Sequence, residues 1–152
     1  MTDSGSTRAS GEQDVVDSPT DWVKRHIDSY VASGGEDGQH WRGVETLLIT
    51  TVGRKTGLRR RTALIFGRDG DDFLIVASKG GDPNHPVWYL NLEANPSAEL
   101  QVGSEVFEAT AETLSGEDYS RAWEIMAGIW PAYREYQAKT DRQIPVIRLR
   151  RV

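Results

Sequence analysis

The chain has 152 residues, enough for one domain that buries roughly 70% of its unfolded surface within a radius of gyration of about 15 Å. It contains no cysteine, which excludes disulfides, thiol nucleophiles, thiolate zinc sites and cysteine-ligated iron-sulfur clusters and suits a reducing compartment. Its 18 basic and 23 acidic side chains leave a net charge of −5, which argues against nucleic acid as a partner because the phosphate backbone rewards positive proteins.

Residues 1–17 are polar and acidic, and their only apolar side chains are Met1, Ala9, Val15 and Val16. These are too few to offset the entropy of ordering the segment, so a disordered acidic leader is expected at 1–17, ahead of a folded domain at 18–152. No targeting segment is visible, and no apolar run approaches the roughly 20 residues that cross a bilayer. A cytoplasmic protein is expected, with peripheral attachment at the inner face of the membrane left open.

Ser18-Pro19-Thr20-Asp21 supplies an N-cap and a proline at the first helical position, and Val23, Ile27, Tyr30 and Val31 follow at helical spacing. A helix is predicted over 18–33, ended by Gly34-Gly35. From Val44 the pattern changes to strands. Thr46 to Val52 and Thr62 to Phe66 are rich in β-branched and apolar residues, with turn material at 53–57 between them, so they read as a hairpin. Asp69 to Asp72 forms a turn before a strand at Phe73 to Ala77. Pro86 to Ala94 reads as a short helix closed by Asn95-Pro96. A second hairpin joins Leu100–Val102 to Val106–Ala111. Ser115 to Asp118 has the form of a capping box for a helix whose Ala122, Trp123, Met126, Ile129 and Trp130 share a face. Pro131 breaks that helix and starts another carrying Tyr133 and Tyr136, before a last strand at Ile144 to Leu149. Consecutive antiparallel strands with helices at the ends imply an α+β domain built on a small barrel.

The charge is unevenly placed. Residues 54–61 carry five cations, Arg54, Lys55, Arg59, Arg60 and Arg61, and no anion, so the rest of the chain holds 13 basic against 23 acidic residues, a net −10. Gly53-Arg54-Lys55-Thr56-Gly57 lacks the glycine spacing and the following Lys-Ser/Thr of a nucleotide phosphate loop. Its glycines and cationic heads can still approach phosphate or carboxylate groups. Two readings stay open for the run taken alone: a solvated hairpin, or an anion-binding loop. The histidines His26, His40 and His85 lack metal-ligand spacing, and no metal site is expected. No serine sits in a nucleophile elbow, which disfavours covalent hydrolysis. Ala77-Ser78-Lys79-Gly80-Gly81 ends a strand with a hydroxyl, an ammonium and flexible amides. Trp88, Tyr89 and Asn91 begin a helix, and Tyr133 and Tyr136 share a helical face. The 77–81 turn and the tyrosine pair serve equally as ordinary structure or as part of a polar-ligand site, whereas for Trp88, Tyr89 and Asn91 core packing is the favoured reading of the residues alone.

Taken in order, Thr51 to Gly57 with Arg60 and Thr62, Ala77 to Gly81, Pro86 to Leu92 with Ala94-Asn95-Pro96, and Pro131 to Tyr133 with Tyr136 and Thr140 to Arg142 resemble the deazaflavin-dependent nitroreductase family. The similarity covers about Val44 to Ile147. It implies a split β-barrel related to the flavin-mononucleotide-binding barrels, and use of coenzyme F420, a deazaflavin with a phospholactyl-oligoglutamate tail. By this resemblance Arg54, Lys55, Thr56, Arg60, Arg61, Thr62, Ala63, Leu64 and Ile65 would hold the phosphate and the start of the tail. Val76, Ala77, Ser78 and Lys79 would contact the ring or its linker, while Val87, Trp88, Tyr89, Leu90 and Asn91 would cover the ring edge. Tyr133 would lie over the ring, and Trp130, Tyr133 and Tyr136 would face the substrate. The implied activity is hydride transfer from reduced F420 to a small electron-poor acceptor such as a quinone, an activated alkene or a nitroaromatic, with Ser78 and Tyr133 as the catalytic hydrogen-bond donors. Flavin mononucleotide (FMN) in a related barrel and non-catalytic carriage of F420 are the alternatives. Trp130 stands where nitroimidazole-reducing relatives have tyrosine, and the polar leader stands where membrane-associated relatives have an apolar segment. Oligomeric state is not legible.

Overall fold

The computed structural model describes residues 15–17, 21–36, 38, 40–41 and 43–152. Within them the chain runs β1 (Val15–Asp17), α1 (Asp21–Ala32), β2 (His40–Trp41), β3 (Val44–Val52), β4 (Arg59–Ile65), β5 (Gly67–Asp69) and β6 (Asp72–Val76). A 3₁₀ turn at Lys79–Gly81 follows, then α2 (Val87–Ala94), β7 (Ser97–Val102), β8 (Glu105–Thr113), α3 (Gly116–Ile129), α4 (Ala132–Ala138) and β9 (Val146–Arg151). The strands lie in the order β1-β4-β3-β7-β8-β9-β6-β5, with β2 paired to β3. Every pairing is antiparallel except the parallel contact of β1 with β4. The curled sheet is that of a split barrel, as the α+β expectation requires.

Period-two alternation divides the core. Leu47 and Ile49 of β3, Phe73 and Ile75 of β6, and Ile147 and Leu149 of β9 point into the sheet's concave interior. Leu74, Val76 and Val146 point the other way, under Ala122 and Met126 of α3 and Tyr133 of α4. Leu48 faces outward onto Ile27 and Tyr30 of α1. Phe73–Val76 of β6 and Leu47–Ile49 of β3 are therefore apolar on both faces, which explains their continuous apolar runs, whereas β9 carries Arg148 and Arg150 on the same face as Val146. The Tyr30 hydroxyl donates to the Thr46 carbonyl at 3.0 Å and accepts from the Gly103 amide at 2.8 Å, tying α1 to β3 and to the β7–β8 turn.

Three expectations are corrected. The leader does not run unpaired to its end: Val15, Val16 and Asp17 pair with Arg59, Arg60 and Arg61, because the outer edge of β4 offers free backbone groups that a short apolar strand can bond. Residues 1–14 and the Ser18-Pro19-Thr20 cap lie outside the described residues. The Ser115 capping box does not form: the serine hydroxyl makes no cap bond, and Gly116 enters the helix at φ +61°, outside the helical basin such a box needs. The last strand starts at Val146 and not Ile144, because Pro145 has no N–H to give a ladder. Its carbonyl still accepts from the Ala77 amide at 3.0 Å.

Candidate functional site

A cleft of about 520 Å³ opens where α1, β4, the turn after β6, α2 and the α3–α4 corner meet. That volume suits a ring-sized ligand. One wall is Thr62, Ala63, Leu64 and Ile65 of β4, and the facing wall is Val76 with Ser78, Lys79 and Gly80. Pro86 and Trp88 at the start of α2, Trp130, Tyr133 and Tyr136 at the α3–α4 corner, and His26 and Thr46 complete the lining.

Four consecutive β4 residues line the cleft because it lies along the strand's edge. The Phe66 amide donates to the Glu45 carbonyl at 3.1 Å, and the register pairs Ile65 with Thr46 and Leu64 with Leu47. Hydrogen-bonded pairs alternate along an antiparallel ladder, so Leu64 and Thr62 bond β3, while the N–H and C=O groups of Ala63 and Ile65 point to the opposite edge. β1 covers that edge only at Arg59–Arg61. Among the described residues no strand covers it from Thr62 to Ile65. The cleft thus presents alternating backbone donors and acceptors on an otherwise apolar wall.

Ser78 and Tyr133, the two hydroxyl-bearing residues singled out from sequence for chemistry, both line the cleft. Ser78 is half-buried and makes no side-chain cap bond. Tyr133 is only 5% exposed, with its ring against Trp123 and Tyr136. Burial, and secondarily the Tyr136 phenol, push its hydroxyl far above the ordinary tyrosine range. It stays protonated and neutral across physiological pH, a hydrogen-bond donor that does not ionise.

The cationic run folds as the β3–β4 bend. Gly53 and Leu58 close it (Gly53 N–H to Leu58 O, 2.7 Å), and Gly57 takes φ +74° at its tip. Arg59 is engaged by Glu99. Arg54, Lys55 and Arg60 are exposed, and among the described residues none makes a salt bridge. Arg60 lies two residues from Thr62, about 7 Å along the strand. Among the described residues three cations without a salt bridge therefore stand near the cleft wall, Arg60 on β4 itself and Arg54 and Lys55 on the bend that leads into it.

Of the residues singled out from sequence, Thr62, Ala63, Leu64, Ile65, Val76, Ser78, Lys79, Trp88, Trp130, Tyr133 and Tyr136 line the cleft. Arg54, Lys55, Thr56, Arg60 and Arg61 lie outside it on or beside the bend. Ala77 is fully buried, and Val87 and Leu90 do not line the cleft. Tyr89 and Asn91, expected to cover a ring edge, do not line the cleft, and their polar atoms bond within the protein. The Tyr89 hydroxyl lies 3.2 Å from Thr113 Oγ1. Asn91 donates to Thr51 Oγ1 at 3.2 Å and accepts from the Arg54 amide at 3.0 Å, so it pins the start of the cationic bend to α2. His26, Thr46, Gly80 and Pro86 also line the cleft. His26, read from sequence as an ordinary histidine, lies one turn before Tyr30 on the inward stripe of α1, and its Nε2 is 3.2 Å from Thr46 Oγ1. That i, i+4 spacing was the available signal.

A half-barrel of antiparallel strands with a ring-sized cleft along one strand edge and a cationic bend beside it defines the class: a split-barrel protein whose cleft suits a ligand that carries negative charge. The comparisons make the assignment specific. The family model for F420H(2)-dependent quinone reductases matches residues 22–150, and the chain belongs to that family. It is 41% identical over 143 residues to the F420H(2)-dependent quinone reductase Rv1261c of Mycobacterium tuberculosis, covering 86% of this chain and 96% of that one. Among solved structures, an F420-H2-dependent reductase, FDR-A, matches with a TM-score of 0.64 at 43% identity, covering 68% of this chain and 92% of that one. A chain from a domain-swapped dimer matches at 0.67 and 41%, covering 87% and 99%. HutZ, a heme storage protein of Vibrio cholerae, matches at 0.54 and 17% identity over 70% of this chain and 81% of its own, a likeness of fold alone. The resemblance read from the sequence is borne out, with quinone reduction as the activity that names the family. No helix among the described residues is long and apolar enough to cross a membrane.

Proposed function

We propose that this chain binds reduced coenzyme F420 with its ring in the cleft and its tail along the β3–β4 bend, and passes the hydride to a small quinone. When bound, the reduced deazaflavin supplies the hydride. The residues of this chain do the rest. The Ala63 and Ile65 backbone groups match the alternating donors and acceptors of a pyrimidine-dione edge, and Trp88 adds an aromatic wall that excludes water. Arg54, Lys55 and Arg60 give charge-assisted bonds to phosphate and carboxylates. Ser78 and Tyr133 donate hydrogen bonds to the acceptor oxygen, where negative charge develops as the hydride arrives. Since Tyr133 holds its proton tightly, its role is to orient and to stabilise, and proton delivery falls to another source.

The observation that carries this reading is that, among the described residues, no strand covers the β4 backbone edge at 62–65, while Arg60 on the same strand and Arg54 and Lys55 on the adjoining bend make no salt bridge. A mononucleotide flavin has one phosphate to offer three cations, whereas the F420 tail has a phosphate and several carboxylates. Titration of the protein's tryptophan fluorescence separates the two, because Trp88 lines the cleft. Tighter quenching by F420 than by FMN supports the proposal, and tighter quenching by FMN contradicts it.

A further inference from the structure

We propose that Arg142 is a positioning residue for the reaction: its guanidinium clamps the Ser78–Lys79–Gly80 turn against α4 and so sets where the Ser78 hydroxyl stands relative to Tyr133. Arg142 lies outside the cleft, in the loop between α4 and β9, and reaches back across about 60 residues of sequence. Its Nη2 donates to the Ser78 carbonyl at 2.8 Å, its Nη1 to the Ala77 carbonyl at 3.2 Å, and its Nε to the Asp82 carbonyl at 2.8 Å. Nη1 also lies 3.0 Å from His85 Nδ1. Arginine can only donate, so Nδ1 is the acceptor and the neutral His85 ring carries its proton on Nε2. One planar fork thus holds both ends of the 77–85 segment, a task for which a single ammonium lacks the geometry.

The turn needs such a restraint. Lys79, Gly80 and Gly81 have φ of +47°, +63° and +86°, and Lys79 is the one non-glycine residue with positive φ among the described residues. A lysine in that region is strained, and strained backbone persists only where its surroundings over-determine it. The other side of the clamp is equally tied. Gln137 of α4 donates to the Arg142 carbonyl at 2.7 Å and accepts from the Ile144 amide at 2.9 Å. Gly81 packs so closely under α4 that a Cβ would lie 2.7 Å from the Tyr136 carbonyl oxygen. The helix that carries Tyr133 and the turn that carries Ser78 are therefore one unit, joined through Arg142.

The inference rests on the reading of the cleft as the redox site, so its test has a structural arm that does not depend on the cofactor. Hydrogen exchange is followed at the Gly81 and Asp82 amides, which bond the Ser78 and Lys79 carbonyls at 2.9 and 3.1 Å. In Arg142→Ala these amides should exchange at least tenfold faster, with the amides of β3 and β8 unchanged. Quinone reduction should fall at least 30-fold in kcat and recover in part on adding guanidinium ion. Arg142→Lys should show the same local loosening with smaller loss, and it carries the test if the alanine variant does not fold. Wild-type exchange at Gly81 and Asp82 in a folded variant would overturn the clamp, as would activity lost without local loosening, which would mean direct contact with the reactants. A wild-type protein that does not oxidise reduced F420 would remove the redox reading while leaving the exchange result to decide the clamp.

Discussion

Asn91 separates an anchoring role from a ligand-contact role by a measurable amount. Its side chain is 2% exposed and partners Thr51, which is 1% exposed, and the Arg54 amide at the start of the exposed bend. In Asn91→Ala the Thr51 hydroxyl is left in a dry site, at a cost of about 1–2 kcal/mol, and the Arg54 amide exchanges a protein partner for water, at about 0.5–1 kcal/mol. The total of about 1.5–3 kcal/mol lowers the melting temperature of a chain of this size by about 5–10 °C. Thermal unfolding by circular dichroism without ligand reads this directly. F420 affinity should weaken as well, because Arg54 is no longer held, but the loss of stability must appear first and without cofactor. An Asn91→Ala protein that melts within 2 °C of wild type while losing F420 affinity would refute the anchoring role and restore a direct contact.

Further expectations follow from the same geometry. Lys55→Glu with Arg60→Glu should weaken F420 binding at low salt, more for long glutamate tails than for short ones, and the difference should collapse at 1 M salt, where screening acts within about 3 Å; equal affinities of wild type and variant in titrations would sink the tail assignment. Tyr133→Phe should lower kcat by about tenfold to a hundredfold, a loss of about 1.4–2.7 kcal/mol in the transition state, and the wild-type rate should show no break from this group between pH 6 and 9. The folded protein raises the Tyr133 value above the unfolded one, so the associated stability is fully present below about pH 10 and is lost as pH rises toward the folded value. Tyr133→Phe should therefore blunt unfolding by base, as pH-dependent melting would show. Gly81→Ala, at φ +86° and with a Cβ 2.7 Å from the Tyr136 carbonyl, should cost about 2–4 kcal/mol from backbone strain and overpacking; a denaturant midpoint equal to wild type would show that the turn can move away from α4.

The elements that sequence revealed are those whose signal is local. Leu47–Ile49 of β3 and Phe73–Val76 of β6 announce themselves by apolar runs because both of their faces are covered, and Pro131 marks the α3–α4 corner because it cannot continue a helix. The cleft was legible where residue type and position coincide, as in Ser78, Trp88 and Tyr133. It was not legible where position depends on pairing. That Ala63 and Ile65 present backbone groups to the cleft follows from the β3–β4 register and from how short β1 is, and neither is written in side-chain chemistry. Asn91 and Tyr89 look like ligand groups in a list of polar and aromatic residues, and only the fold shows their partners inside the protein. His26 reaches the cleft because α1 packs on the outer face of β3, a contact between segments 20 residues apart. Arg142 acts on Ser78 from 64 positions away.

The central claim, that the β4 cleft is where reduced F420 passes its hydride to a quinone, is tested most directly by mixing the purified protein anaerobically with reduced F420 and a soluble quinone. The return of oxidised deazaflavin absorbance is followed in wild type and in Ser78→Ala with Tyr133→Phe. Quinone-dependent oxidation by the wild type is expected, with a fall of about a hundredfold or more in the double variant and F420 binding largely retained. Turnover in the double variant at the wild-type rate, or none in the wild type with saturating F420 bound, would contradict that claim.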